Sequence, residues 1–236
     1  MSRSPDEDAG ASAAGSEPTE IEVKLGVSLP RRVAAVLRNP DPSVLAGFTP
    51  LGPLVSRTVT DRYLDTDQVG GRLATGAMRA RLRHAGRNVT LTVKRTGVEA
   101  GGVTERVEIE APATRNLDPR RWPASAARAA LLDRIGADKL AEVARLRQRR
   151  LVRVFGRGAT RVELSLDRVD AIVLDRVVAR RHELEAELLA GSRADLAELA
   201  DALARLDGVG PAAGSKLVFA LEARTAAGHP TRVVVR

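Results

Sequence analysis

The run Glu20-Ile21-Glu22-Val23-Lys24 sets two carboxylates and an amine at alternate positions. In a β-strand, where successive side chains point to opposite faces, Glu20, Glu22 and Lys24 share one surface and Ile21, Val23 and Leu25 the other. The pattern recurs: Arg106, Glu108 and Glu110 alternate with Val107, Ile109 and Ala111, and Glu183, Glu185 and Glu187 alternate with Leu184, Ala186 and Leu188. One charged ladder is ordinary solvated surface. Three in one chain call for a closed or nearly closed sheet whose polar side lines a lumen and whose apolar side packs under helices. Such a lumen would hold a charged ligand.

Lysine usage is an independent clue. Of 38 basic residues only Lys24, Lys94, Lys139 and Lys216 are lysine. A lysine ammonium is a compact point charge, whereas arginine imposes a planar fork, so a crowded interior can require lysine where a surface accepts arginine.

The elements that must position these residues follow from periodicity and punctuation. Pro30 to Arg38 reads as a short helix with Pro at its start, ended by Asn39-Pro-Asp-Pro42. Segments 57–65, 77–83, 88–94 and 103–110 read as strands of an antiparallel meander, parted by glycine-containing connections. Residues 111–123 read as a loop holding Trp122 as a packing residue, followed by a helix capped by Ser125 and interrupted near Gly136. Lys139 to Leu146 reads as a further helical piece. Segments 147–155, 160–173 and 177–189 are strands, and Ser192 with Asp195 forms a capping box for a helix whose Leu196, Leu199, Leu203 and Leu206 make a core stripe. Met1 to Thr19, rich in Ser, Ala, Gly, Asp and Glu, reads as a disordered acidic tail.

The chain of 236 residues is long enough to bury a core and has no apolar run that could cross a membrane. It contains no cysteine, which excludes disulfides and thiolate metal sites and fits a cytoplasmic location. The net charge of +8 invites a nucleic-acid reading, but one Trp, one Tyr and three Phe offer few platforms for stacked bases, so composition argues against it.

Beyond the Glu20 run, the segments Tyr63-Leu-Asp65-Thr66, Met78-Arg-Ala-Arg81, Thr90-Leu-Thr-Val-Lys94, Thr104-Glu-Arg-Val-Glu108, Val162-Glu-Leu-Ser-Leu-Asp167, Glu183-Leu-Glu-Ala-Glu187 and Ser215-Lys216-Leu217 follow in order. Together they resemble the CYTH superfamily, the triphosphate tunnel metalloenzymes. The resemblance covers residues 20–223, leaving 224–236 as a tail or edge segment. It implies an α+β fold, a closed antiparallel eight-stranded barrel with helices packed outside.

By this resemblance Lys24, Arg79, Arg81, Lys94, Arg106 and Lys216 are phosphate ligands, with Arg149 and Arg150 offered by the cluster at Arg147, Arg149 and Arg150, whose inward member the sequence leaves open. Glu20 and Glu22, with Glu163, Asp167, Glu183, Glu185 and Glu187, are the implied metal ligands, and Glu20, Glu22 and Lys24 the catalytic group. Ser165 departs from relatives that have an acid there. Glu108 and Glu110 read equally as lumen acids or as salt-bridge partners. His84, His182 and His229 are isolated, so an all-oxygen site for Mg²⁺ or Mn²⁺ is expected rather than zinc. The implied activity is metal-dependent hydrolysis of inorganic triphosphate. Thiamine triphosphatase, adenylate cyclase, or a non-catalytic module that binds polyphosphate remain as alternatives.

Overall fold

The computed structural model describes residues 18–100, 102–231 and 233. The acidic tail expected over 1–19 therefore lies almost wholly outside the described residues. Along the chain run β1 (Thr19–Val27), α1 (Pro30–Arg38), β2 (Thr49–Pro50), β3 (Val55–Thr66), α2 (Arg72–Thr75), β4 (Met78–Ala85), β5 (Asn88–Arg95), β6 (Val98–Ala100) and β7 (Val103–Pro112). They are followed by α3 (Ala126–Ile135), β8 (Leu140–Arg157), β9 (Thr160–Val173), β10 (Arg176–Ala190), α4 (Arg193–Ala204), β11 (Val209–Pro211) and α5 (Lys216–Ala226).

Eight strands close into an antiparallel barrel in the order β1-β10-β9-β8-β3-β4-β5-β7, and β7 pairs back to β1. Closure leaves no free edge among these strands and divides every strand into an inner and an outer face. The outer faces bury the apolar halves of the ladders. Val23, Leu164, Leu184 and Ala186 pack with Val33 and Leu37 of α1 and Leu196, Leu199 and Leu203 of α4. On the opposite wall Ala80, Leu82, Leu91 and Val93 pack under Leu131 and Ile135 of α3. Trp122 belongs to this second cluster and donates Nε1 to the Asn116 carbonyl at 2.7 Å, the packing role read from the sequence.

α5 lies across one end of the barrel. Its Leu217, Ala220 and Leu221 meet Tyr63, Leu146, Val169 and Ala171, which belong to inner faces. The helix runs past residue 223, so that boundary falls inside an element.

One segment differs in type from its expectation. Residues 139–146 are not helical: β8 begins at Leu140 and continues for 18 residues. Local composition there favours helix, but the segment pairs with β3 from Leu140 onward and with β9 from Arg145 onward, and cross-strand packing outweighs the local preference. Two glycines are fixed by their surroundings. Gly71 has φ +64° and faces the Asp65 carboxylate, which accepts from Leu73 N and Ala74 N and so caps α2. Gly97 lets β6 fold back on β7, because a Cβ there would collide with the Glu105 carbonyl.

Candidate active site

Register decides which charges meet, because directly opposed residues on neighbouring strands share a face. Glu22 stands opposite Glu187 and Lys24 opposite Glu185; on the next pair Glu187 faces Glu163, Glu185 faces Ser165 and Glu183 faces Asp167. Asp167 in turn faces Arg150. On the other side Glu20 faces Arg106, Lys94 faces both Glu108 and Arg79, and Tyr63 faces Arg81. The three ladders expected from alternation therefore line one lumen. It opens into a chamber of about 470 Å³ whose walls include Glu20, Glu22, Lys24, Arg79, Arg81, Lys94, Arg106, Glu163, Glu187 and Lys216. A second chamber of about 800 Å³ shares Glu22, Lys24, Arg79, Lys94 and Arg106 with the first.

Most of these charges are paired. Lys94 Nζ lies 2.8 Å from Glu20 and 2.5 Å from Glu108, and Arg106 bridges Glu20 at 2.7 Å and Glu22 at 2.5 Å. Lys24 spans Glu22 at 3.3 Å and Glu185 at 3.1 Å. Burial opposes its charge, yet Glu185, Glu22 and Glu183 together hold it protonated well above the usual lysine range. Lys94 shifts the other way, since burial and the nearby Arg81 and Arg106 outweigh Glu20 and Glu108. It is the lumen ammonium most easily neutralised.

Arg81 reaches Asp61 at 3.3 Å and Glu108 at 3.7 Å. Asp61 is fully buried and also accepts from Arg83 Nε at 2.8 Å, Arg83 Nη2 at 2.8 Å and Gln148 at 2.5 Å. Burial raises the cost of its charge, but these two guanidinium groups prevail and hold the carboxyl far below its usual range. Sequence reasoning missed Asp61, although it continues the period-two run that ends at Tyr63. It also missed Arg57, which lines the first chamber, and Arg181, which pairs with Glu183 and extends the glutamate ladder by one step.

Two sets of groups have no counter-charge. Arg79 makes no ion pair among the described residues, and burial together with Arg106 lowers its pKa. Glu163 and Glu187 lie side by side, also without a basic partner among the described residues, next to Glu22. Burial, then Glu20, Glu163, Glu108 and Glu22, push the Glu187 carboxyl up to about 7. Like-charged carboxylates crowded this way call for a cation between them, and hard oxygen donors suit Mg²⁺ or Mn²⁺. Among the described residues no three acids converge on one point as they stand, with Glu20 and Glu22 turned to basic neighbours.

The remaining expected ligands fall differently. Arg150 points inward, and Arg149 does not reach the lumen: it is exposed on the outer face beside α1, because consecutive residues of β8 alternate. Asp167, Glu183 and Glu185, expected to hold metal, are each bound to a protein cation: Arg150 at 2.8 Å and Lys216 at 2.5 Å on Asp167, Arg181 on Glu183, and Lys216 at 3.1 Å on Glu185. Glu110 accepts from Thr92 at 2.7 Å and is half exposed. No described helix is long and apolar enough to cross a membrane.

Comparison with known proteins agrees with the barrel fold. The family model described as CYTH domain matches residues 19–218. No curated protein matches. Among solved structures, HpAC1 from Hippeastrum, a candidate adenylyl cyclase with a dominant triphosphatase activity, is 18% identical, covering 85% of this chain and 94% of its own at a TM-score of 0.60. A candidate adenylate cyclase from Bacillus halodurans is 17% identical, covering 85% of this chain and 96% of its own at a TM-score of 0.56. These two likenesses concern the fold, while the family model spans most of the sequence: the chain belongs to the CYTH domain family.

Proposed function

We propose that this protein is a divalent-metal-dependent triphosphatase whose substrate is inorganic triphosphate. The observation that carries the reading is the coexistence, in one lumen, of a guanidinium at Arg79 and adjacent carboxylates at Glu187 and Glu163 that have no ion pair among the described residues. A module that only binds polyphosphate gains nothing from acids that repel its ligand. Family membership and the triphosphatase activity of the Hippeastrum relative support the same reaction class.

In this reading Arg79, Arg81, Lys94 and Arg106 neutralise the phosphate chain from three strands and orient it for in-line attack. Glu20, Glu22, Glu163 and Glu187 would hold Mg²⁺ or Mn²⁺, which when bound supplies Lewis-acid polarisation of phosphate oxygens. The lumen carboxylate at Glu163 or Glu187 orients the attacking water and accepts its proton. Arg106 and Lys94 stabilise the charge that gathers on the departing diphosphate. Burial at the end covered by α5 limits bulk water, so each interaction acts at reduced dielectric. Trp122 packs outside the barrel and offers no ring face to thiamine or adenine, while Tyr63, the only tyrosine, is 7% exposed and borders the first chamber.

The test is phosphate release by purified protein from inorganic triphosphate, ATP and thiamine triphosphate, with Mg²⁺, with Mn²⁺ and with chelator. Metal-dependent release fastest from inorganic triphosphate is expected. Binding without release from any of the three would overturn the enzyme reading in favour of a polyphosphate-binding module.

A further inference from the structure

Between α1 and the outer faces of β8, β9 and β10 lies a cavity of about 520 Å³, on the far side of the sheet from the lumen. Register lays a basic row across its floor: Arg149 stands opposite Arg168, and Arg168 opposite His182. Directly opposed like charges destabilise a sheet, so Arg149 beside Arg168 is unfavourable until an anion lies across the pair. Two more guanidinium groups come from α1, with Arg31 in its first turn and Arg38 at its end. That helix starts without a side-chain cap and without an acid in its first turn, so its positive end adds to the same field.

Counter-charge is scarce on this face. No carboxylate lines the cavity among the described residues, and Arg31, Arg38 and Arg149 have no ion pair there. The neighbouring row of Arg147, Asp170 and Arg180 contains one acid. Asp170 is already divided among Arg180 at 2.6 Å, Arg168 at 2.9 Å and Arg147 at 3.6 Å. Even so, Arg168 Nε is buried without a hydrogen-bond partner. Burial, then Arg168 and Arg180, hold the His182 imidazole below its ordinary pKa against the pull of Asp170. Guanidinium groups converging from a helix and two strands suit the oxygens of linked phosphates, which accept paired N–H donors. With no Phe, Tyr or Trp in its walls, the cavity favours a compact phosphate chain over a strand of stacked bases.

We propose that this cavity is a second anion site, separate from the lumen, which binds a short phosphate chain between Arg31 and Arg38 of α1 and the row of Arg149, Arg168 and His182. Inorganic diphosphate is the smallest such chain. The inference does not depend on the hydrolytic reading above.

The experiment follows the His182 titration in the full chain by nuclear magnetic resonance, with chelator, at an ionic strength fixed by chloride, and with increasing inorganic diphosphate. The His182 pKa should rise saturably by about half a unit or more, because an adjacent anion favours the imidazolium, while His84 on another wall stays unchanged. In the double variant Arg31→Gln, Arg149→Gln the midpoint should move to diphosphate concentrations about tenfold or more higher, as expected for lost charged contacts. Arg79→Ala, which alters only the lumen, should leave the His182 response intact. No shift in the unaltered chain, or a shift that survives the double variant unweakened, overturns the inference. A response to duplex RNA but not to diphosphate gives this face to nucleic acid and overturns it as well. Should the double variant fail to fold, Arg38→Gln at the exposed end of α1 replaces it, and an unchanged midpoint there counts against the site.

Discussion

Glu187→Gln isolates the least comfortable charge in the lumen. The carboxyl is raised from an ordinary value of 4.5 to about 7, first by burial and then by Glu20, Glu163, Glu108 and Glu22. An acid whose folded-state pKa is raised binds more protons folded than unfolded, so it lowers stability as pH climbs from about 4.5 through about 7 and exerts its full penalty above that. At about 1.36 kcal/mol per pH unit the ceiling is about 3 kcal/mol. Because Glu187 is partly open to solvent, screening reduces this to about 1–2 kcal/mol. The amide should therefore stabilise the metal-free protein at pH 8, by about 2–8 °C in melting temperature for a chain of this size, and change it little at pH 4.5. The assay is thermal unfolding at both pH values, with chelator and with Mg²⁺. In the unaltered chain Mg²⁺ should stabilise more at pH 8 than at pH 5, where the carboxyl is protonated; in Glu187→Gln that response should largely vanish. A variant less stable than the parent at pH 8 without metal, or one with an undiminished Mg²⁺ response, would refute the reasoning.

Two further substitutions separate binding from architecture. Arg79→Ala removes a lumen cation that has no ion pair among the described residues, so the melting temperature should hold while KM for triphosphate rises about tenfold or more, the equivalent of a charged hydrogen bond of about 1.5–3 kcal/mol; steady-state kinetics with an unchanged KM would remove it from the site. Asp61→Asn leaves Arg81 and Arg83 buried against a neutral amide and should cost about 3–5 kcal/mol in denaturant unfolding at pH 7. Since the Asp61 carboxyl is held below its ordinary 3.8, its contribution is complete above that value and is lost as pH falls beneath it, so parent and variant should converge in strong acid.

The barrel was legible because its signal is local and repeated. Alternation at Glu20–Lys24, Arg106–Glu110 and Glu183–Glu187 needs only the two-residue period of a strand, and Pro30, Ser125 and Ser192 mark helix starts through backbone chemistry that neighbours cannot alter. The Ser192 box is only half formed, since Asp195 turns to Arg157 at 2.6 Å and to Thr160. Residues 139–146 were illegible for the opposite reason, as their strand depends on partners more than 70 residues away in β3.

Sequence alone determined which residue types face together: acids and bases on one side of each strand, aliphatic groups on the other, with three of four lysines reserved for the interior. Tertiary structure alone decided which charge meets which. Register set Glu187 between Glu22 and Glu163 with no cation, turned Arg150 inward and Arg149 outward, and brought Lys216 from a helix start onto Asp167, Glu183 and Glu185. A charge's role depends on its nearest counter-charge across space, and in a closed barrel those neighbours come from strands far apart in the chain.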